Sequence, residues 1–97
     1  MDNEKIKVLL IEDNPGDARL IRELLAEVEG APFDLYHTDR LSAGLERLAQ
    51  GDIDVILLDL SLPDSKGLDS LGNLHAQAPK VPIVVLSGLS EIGRAHV

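Results

Sequence analysis

The sequence predicts one α/β domain with a doubly wound parallel sheet, because two kinds of segment alternate along it. Residues 8–11, 55–58 and 83–86 are short apolar runs rich in β-branched side chains, as expected of central strands buried on both faces. Segments with helical periodicity separate these runs, and such alternation through short loops favours parallel strands joined by right-handed crossovers. A chain of 97 residues has room for a single core. The prediction is therefore one domain.

Three amphipathic helices and one further strand complete the predicted order βαβαβαβ. Asn14 is a favourable N-cap, Pro15 suits the first helical position and Asp17 favours the positive end of the helix dipole, so the first helix is predicted to begin directly after Asp13. Residues 33–38 have mixed polarity, which predicts an edge strand. The apolar positions that share a helix face are Leu20, Ile21, Leu24, Leu25 and Val28, then Leu41, Leu45 and Leu48, then Leu68, Leu71, Leu74 and Ala78.

Composition excludes several classes of function. Nine basic and seventeen acidic residues give a net charge of −8, which disfavours direct contact with nucleic acid or with an anionic membrane. Phe33 and Tyr36 are the only aromatic residues, so no stacking platform for bases can form. The absence of cysteine excludes disulfides and thiolate metal sites. Acidic Asp2 and Glu4 stand where a secretory signal would be basic, and we expect a cytoplasmic protein.

Candidate chemistry is concentrated where the predicted strands end. Glu12 and Asp13 directly follow the first apolar run, and Asp59 directly follows the run at residues 55–58. Open α/β sheets bind ligands at the carboxyl edge, where these three carboxylates would repel one another unless a cation lies between them. An all-oxygen site suits Mg²⁺ better than zinc. The alternative interpretation of Glu12 and Asp13 is an acidic pair that caps the first helix in solvent.

Three sequence blocks together form a specific pattern: residues 7–17 (KVLLIEDNPGD), 54–67 (DVILLDLSLPDSKG) and 81–88 (VPIVVLSG). In this order and spacing they resemble the receiver (phospho-acceptor) domain of two-component response regulators, and the resemblance extends over residues 5–90. It implies the flavodoxin-like strand order 2-1-3-4-5 of that family. About four of the five βα units are matched, so we expect an incomplete receiver domain that is truncated after the fourth strand.

The resemblance also implies roles for individual residues. By position, Asp59 is the phosphoryl acceptor, and Ser87 supplies a hydroxyl that turns toward the phosphoryl oxygens. Glu12 and Asp13 hold Mg²⁺ together with Asp59 and the backbone carbonyl of Ser61, Asp13 being a direct ligand. The implied reaction is phosphorelay signalling with self-catalysed phosphorylation and dephosphorylation of the aspartate, rather than enzymatic turnover. The implied partners are a histidine kinase or phosphotransfer protein, and an output domain in the full gene.

The end of the chain departs from the family pattern. In receivers a lysine on a fifth strand contacts the phosphoryl group, whereas Lys66 and Lys80 fall on other segments. Residues 91–97 (EIGRAHV) do not resemble the family. Residues 92–97 can be read as ATC GGA AGA GCA CAC GTC, which resembles a common sequencing adapter. We therefore expect residues 91–97 to be a non-native tail. Sequencing of the source locus would test this expectation.

Two other functions remain open on the sequence alone. The lack of a counterpart to the family's fifth-strand lysine favours a receiver-like module that binds proteins without being phosphorylated. A phosphohydrolase of the haloacid dehalogenase type also begins with an aspartate after a buried strand, but it needs a second aspartate two residues later. That position holds Ser61, which disfavours the phosphohydrolase.

Overall fold

The computed structural model describes residues 5–28, 30, 32–60, 62 and 67–86. Within these residues the chain alternates strands and helices as predicted. The elements are β1 (Ile6–Ile11), α1 (Pro15–Ala26), β2 (Phe33–Thr38), α2 (Leu41–Leu48), β3 (Val55–Leu58), α3 (Gly67–Gln77) and β4 (Ile83–Val85).

The four strands form one parallel sheet in the order β2-β1-β3-β4. This confirms the predicted α/β class, the flavodoxin-like order and the edge position of β2. The hydrogen-bond ladder continues past the end of β1, because the Glu12 amide donates to the Thr38 carbonyl at 3.0 Å and the Asp59 amide donates to the Ile11 carbonyl at 2.9 Å. The carboxyl ends of β1, β2 and β3 therefore meet at one edge.

The core lies on both faces of the sheet. On one face Leu10 packs with Ala18 and Ile21 of α1. The larger cluster joins the other face of the sheet to α2 and α3, and it comprises Leu9, Ile11, Leu41, Leu48, Ile53, Ile56, Leu58, Leu62 and Leu74. Burial of apolar side chains by helices on both faces is the main stabilising contribution that a doubly wound sheet offers.

Gly44 lets α2 lie close to the end of β1. A Cβ atom at this position would be 2.6 Å from Cδ1 of Ile11, a residue without any exposed surface. In the last turn of α2, the Arg47 guanidinium lies 4.0 Å from the centroid of the Tyr36 ring on β2 and 2.7 Å from the Asp52 carboxylate. Together these contacts fix α2 over β1 and β2.

The start of α1 is as predicted, but its buried face is narrower. Asn14 Oδ1 accepts a hydrogen bond from the Asp17 amide at 3.0 Å, and Pro15 opens the helix. Leu20 and Leu24, which belong to the predicted apolar face of this helix, are 44% and 54% exposed. The reason is that α1 rests on the sheet through Ala18, Ile21 and the half-buried Leu25, so the flank that carries Leu20 and Leu24 points away from it.

Residues 83–86 have the apolar pattern of a central strand, but β4 is not covered on both faces in the described part of the chain. β4 pairs with β3 and is the last strand in the described part of the sheet, and Val84 is 47% exposed. In the same way, the first apolar residue of α3, Leu68, is exposed although Leu74 is fully buried. Both departures occur where no described element packs against the apolar side chain.

None of the helices in the described ranges is both long and apolar enough to cross a membrane.

Candidate functional site

Three carboxylates meet at the carboxyl edge of the sheet. Glu12 and Asp13 follow β1, and Asp59 follows β3, the strand paired with β1. One carboxylate oxygen from each residue lies within 4.8 Å of those of the other two. The structure therefore brings together the three acidic side chains that the sequence predicted for one site.

Glu12 is buried and held in place by the backbone around it. Its side chain is 2% exposed, and Oε2 accepts a hydrogen bond from the Asn14 amide at 3.1 Å. The helix is capped by Asn14 instead, so the alternative of a solvent-exposed capping pair is wrong for Glu12. Asp59 is 7% exposed, whereas Asp13 is exposed to solvent.

Two carboxyl groups of the cluster, those of Glu12 and Asp13, have raised pKa values. Burial raises the pKa of Glu12 to about 7, and a hydrogen bond with Asp59 adds to this effect while the Asn14 amide opposes it. Burial and a hydrogen bond with Asp59 also raise the pKa of Asp13. A carboxyl group whose pKa is raised in this way keeps its proton to a higher pH than an ordinary carboxyl group does. A cation placed among these carboxyl groups would therefore favour their ionised forms.

The donor set fits a hard divalent cation. The three side chains offer only carboxylate oxygens, which are the ligands that Mg²⁺ and similar ions prefer. The sequence has no cysteine, and no histidine nitrogen joins this cluster among the described residues, so the donor set typical of zinc is not formed here.

Sequence reasoning missed one residue that touches this site. His37 is exposed and no sequence pattern places it at the site, but its Nε2 lies 2.8 Å from the carbonyl oxygen of Glu12. In the register of β1 and β2, His37 is opposite Leu10, two residues before Glu12. Only the pairing of two strands distant in sequence reveals this contact.

Two predicted site residues, Ser61 and Ser87, lie outside the described residues, as does Lys66.

Fold and site together define a doubly wound α/β domain that carries a cluster of three carboxylates, one of them a buried aspartate at the end of a central strand. The family model of the response regulator receiver domain matches residues 8–96. The chain therefore belongs to the receiver-domain family of response regulators, whose members transduce signals in two-component systems.

A curated relative supports membership of the same family and shows what share of a longer relative this chain matches. The cell cycle transcriptional regulator CtrA of Caulobacter vibrioides is 45% identical over 87 residues, which cover 90% of this chain and 36% of CtrA. The chain thus spans little more than a third of the length of this relative.

Solved response regulators share the fold. The phosphorylated cyanobacterial phytochrome response regulator RcpA is 29% identical with a TM-score of 0.74, and the match covers 96% of this chain and 72% of RcpA. TrrA of Thermotoga maritima in complex with Mg²⁺ and BeF is 25% identical with a TM-score of 0.76, with 88% and 71% of the two chains covered. TrrA in complex with the histidine kinase ThkA is 26% identical with a TM-score of 0.70, with 84% and 68% covered.

Proposed function

We propose that this domain relays a signal by accepting a phosphoryl group on Asp59 from a histidine kinase or phosphotransfer protein, with Mg²⁺ bound beside it. The observation that carries the proposal is the meeting of Glu12, Asp13 and Asp59 within 4.8 Å at the carboxyl edge of the sheet. The phosphorylated state of RcpA and the Mg²⁺ and BeF complex of TrrA support it.

In this proposal Asp59 is the nucleophile. Its backbone amide is tied to the Ile11 carbonyl, which fixes the residue at the end of β3 beside the acidic pair. A carboxylate oxygen of Asp59 forms a bond to phosphorus while the nitrogen–phosphorus bond of a donor phosphohistidine breaks. The leaving imidazole keeps the electron pair of that bond. Phosphoryl transfer of this kind depends chiefly on positioning and charge stabilisation, so a weakly nucleophilic carboxylate suffices.

The residues that would hold the ion are Asp13 and Asp59, with Glu12 beside them and the backbone carbonyl of Ser61 as the remaining ligand. Solvent-exposed Asp13 can approach a hydrated ion directly, whereas Glu12 is buried and its Oε2 is engaged by the Asn14 amide. Bound Mg²⁺ would neutralise charge on the transferring phosphoryl oxygens. We place the hydroxyl of Ser87 among the groups that contact the phosphorylated aspartate.

The kinase is proposed to dock around α1. This helix begins at Pro15, two residues after Asp13, and it exposes apolar Leu20. The complex of TrrA with ThkA supports a kinase as partner.

The longer protein is proposed to carry an output domain. The match covers 36% of CtrA, which is named a cell cycle transcriptional regulator. The acidic charge of this chain disfavours nucleic acid as its own direct partner, so DNA contact would belong to that further domain. The reaction is self-catalysed on the protein's own aspartate, and the proposed location is the cytoplasm.

Intact-mass measurement after incubation with acetyl phosphate and Mg²⁺ tests the proposal. We expect the parent chain to gain one phosphoryl group, and we expect Asp59→Asn or an excess of chelator to abolish the gain. Asp69→Asn is the matched control, because Asp69 is an exposed aspartate on α3 that is not one of the three clustered carboxylates. An unlabelled parent, or labelling that survives Asp59→Asn, would contradict the proposal.

A further inference from the structure

His37 makes a contact at the acidic site that the phosphoryl-transfer chemistry above does not use. Its Nε2 lies 2.8 Å from the carbonyl oxygen of Glu12. A carbonyl oxygen only accepts hydrogen bonds, so Nε2 must carry the proton and donate. The imidazole is exposed, and it sits at the end of the edge strand β2 rather than in the core.

The position of this hydrogen bond in the ladder explains what it does. At this end of the β1–β2 pair, a backbone hydrogen bond runs from the Glu12 amide to the Thr38 carbonyl at 3.0 Å. The next acceptor along β1 is the Glu12 carbonyl, and β2 has ended at Thr38. The side chain of His37 therefore extends the ladder by one bond beyond the last strand residue.

The bonded carbonyl belongs to the peptide unit that joins Glu12 to Asp13. A peptide unit is planar, so holding its oxygen also fixes the direction of the Asp13 amide and the position of the Asp13 Cα. The amide and the carboxylate of Glu12 are held separately, by the Thr38 carbonyl and the Asn14 amide. The His37 bond therefore acts on the peptide unit between buried Glu12 and exposed Asp13.

We propose that His37 is a positioning residue for the acidic site: by donating from Nε2 to the Glu12 carbonyl, it orients the peptide that presents Asp13 to the metal ion. This inference rests on the proposed function for the identity of the ion. Partners that orient a metal ligand typically contribute about 10-fold to 100-fold in affinity, and the effect here acts through the backbone, which favours the lower end.

Magnesium affinity measured by calorimetry, with thermal unfolding of the same samples, tests the role. We expect His37→Ala to raise the Mg²⁺ dissociation constant about 10-fold, and His37→Gln, whose side-chain amide can donate to the same oxygen, to recover most of the loss. His75→Ala is the matched control, because His75 is an exposed histidine at the last turn of α3. It should leave the affinity unchanged.

The outcomes separate this inference from the proposed function. A parent chain that binds no Mg²⁺ would refute the proposed metal site itself. A parent that binds Mg²⁺ while His37→Ala binds it equally well, or loses only thermal stability, would overturn the positioning role alone. Nitrogen-15 chemical shifts of the neutral imidazole give a check that needs no metal: we expect the tautomer protonated at Nε2, and an Nδ1-protonated ring would overturn the inference.

Discussion

Without bound metal, the domain should lose stability as the pH rises through neutrality, because of Glu12. The pKa of this buried carboxyl is raised to about 7 in the folded protein, from 4.5 for an ordinary glutamate. Between these values the folded state binds more protons than the unfolded state, so the contribution is fully present at low pH and is lost as the pH rises through about 7. From about pH 5.5 to about pH 8, this single group should lower the free energy of unfolding by about 2 kcal/mol.

Urea denaturation followed by far-ultraviolet circular dichroism, in the presence of chelator, measures this effect. The chain has no tryptophan, so fluorescence is a poor probe. Glu12→Gln should remove most of the pH dependence and should be the more stable protein at about pH 8, because it carries no charge into the buried site. The difference between the two proteins isolates Glu12 from the histidines that titrate in the same range. Parallel pH profiles for parent and variant, or stability that increases with pH in the parent alone, would refute the reasoning.

Three further predictions concern the packing and capping of the helices and strands that surround the site. Leu74→Ala should destabilise the domain by about 2 to 5 kcal/mol in urea denaturation because Leu74 is fully buried, while exposed Leu68 on the same helix should tolerate alanine within about 0.5 kcal/mol. Asn14→Ala removes the acceptor for the Asp17 amide and should cost about 1 kcal/mol by the same assay. Val84→Lys should reduce self-association in light scattering, because Val84 is an exposed apolar residue on β4. Equal costs at Leu74 and Leu68, a neutral Asn14→Ala, or scattering unchanged by Val84→Lys would each count against the packing described.

The strands and the acidic cluster could be predicted from the sequence because both depend on local patterns, whereas the strand order followed only from the resemblance to receiver domains. An unbroken apolar run marks a buried strand, and an acidic residue directly after it must emerge at the carboxyl edge. Glu12 and Asp59 met this condition, and their strands are neighbours in the structure. Asn14 also met a local rule, since an N-cap acts within its own first turn.

Burial and backbone contacts between distant segments could not be predicted in the same way. Leu24 has the periodicity of a core residue, but its exposure depends on which part of α1 faces the sheet. Val84 lies in an apolar run, yet β4 has a described partner on one side only. The bond from His37 to the Glu12 carbonyl depends on the register between β1 and β2, which the periodicity of either strand does not specify.

The location of the phosphoryl group is the most direct test of the central claim. The parent chain is incubated with acetyl phosphate and Mg²⁺, the acyl phosphate is reduced with borohydride to homoserine, and the digested protein is sequenced by tandem mass spectrometry. We expect homoserine at Asp59 alone, formed only when Mg²⁺ is present. Homoserine at another aspartate, formation independent of Mg²⁺, or no homoserine in a sample that binds Mg²⁺ would contradict the assignment of Asp59 as the acceptor.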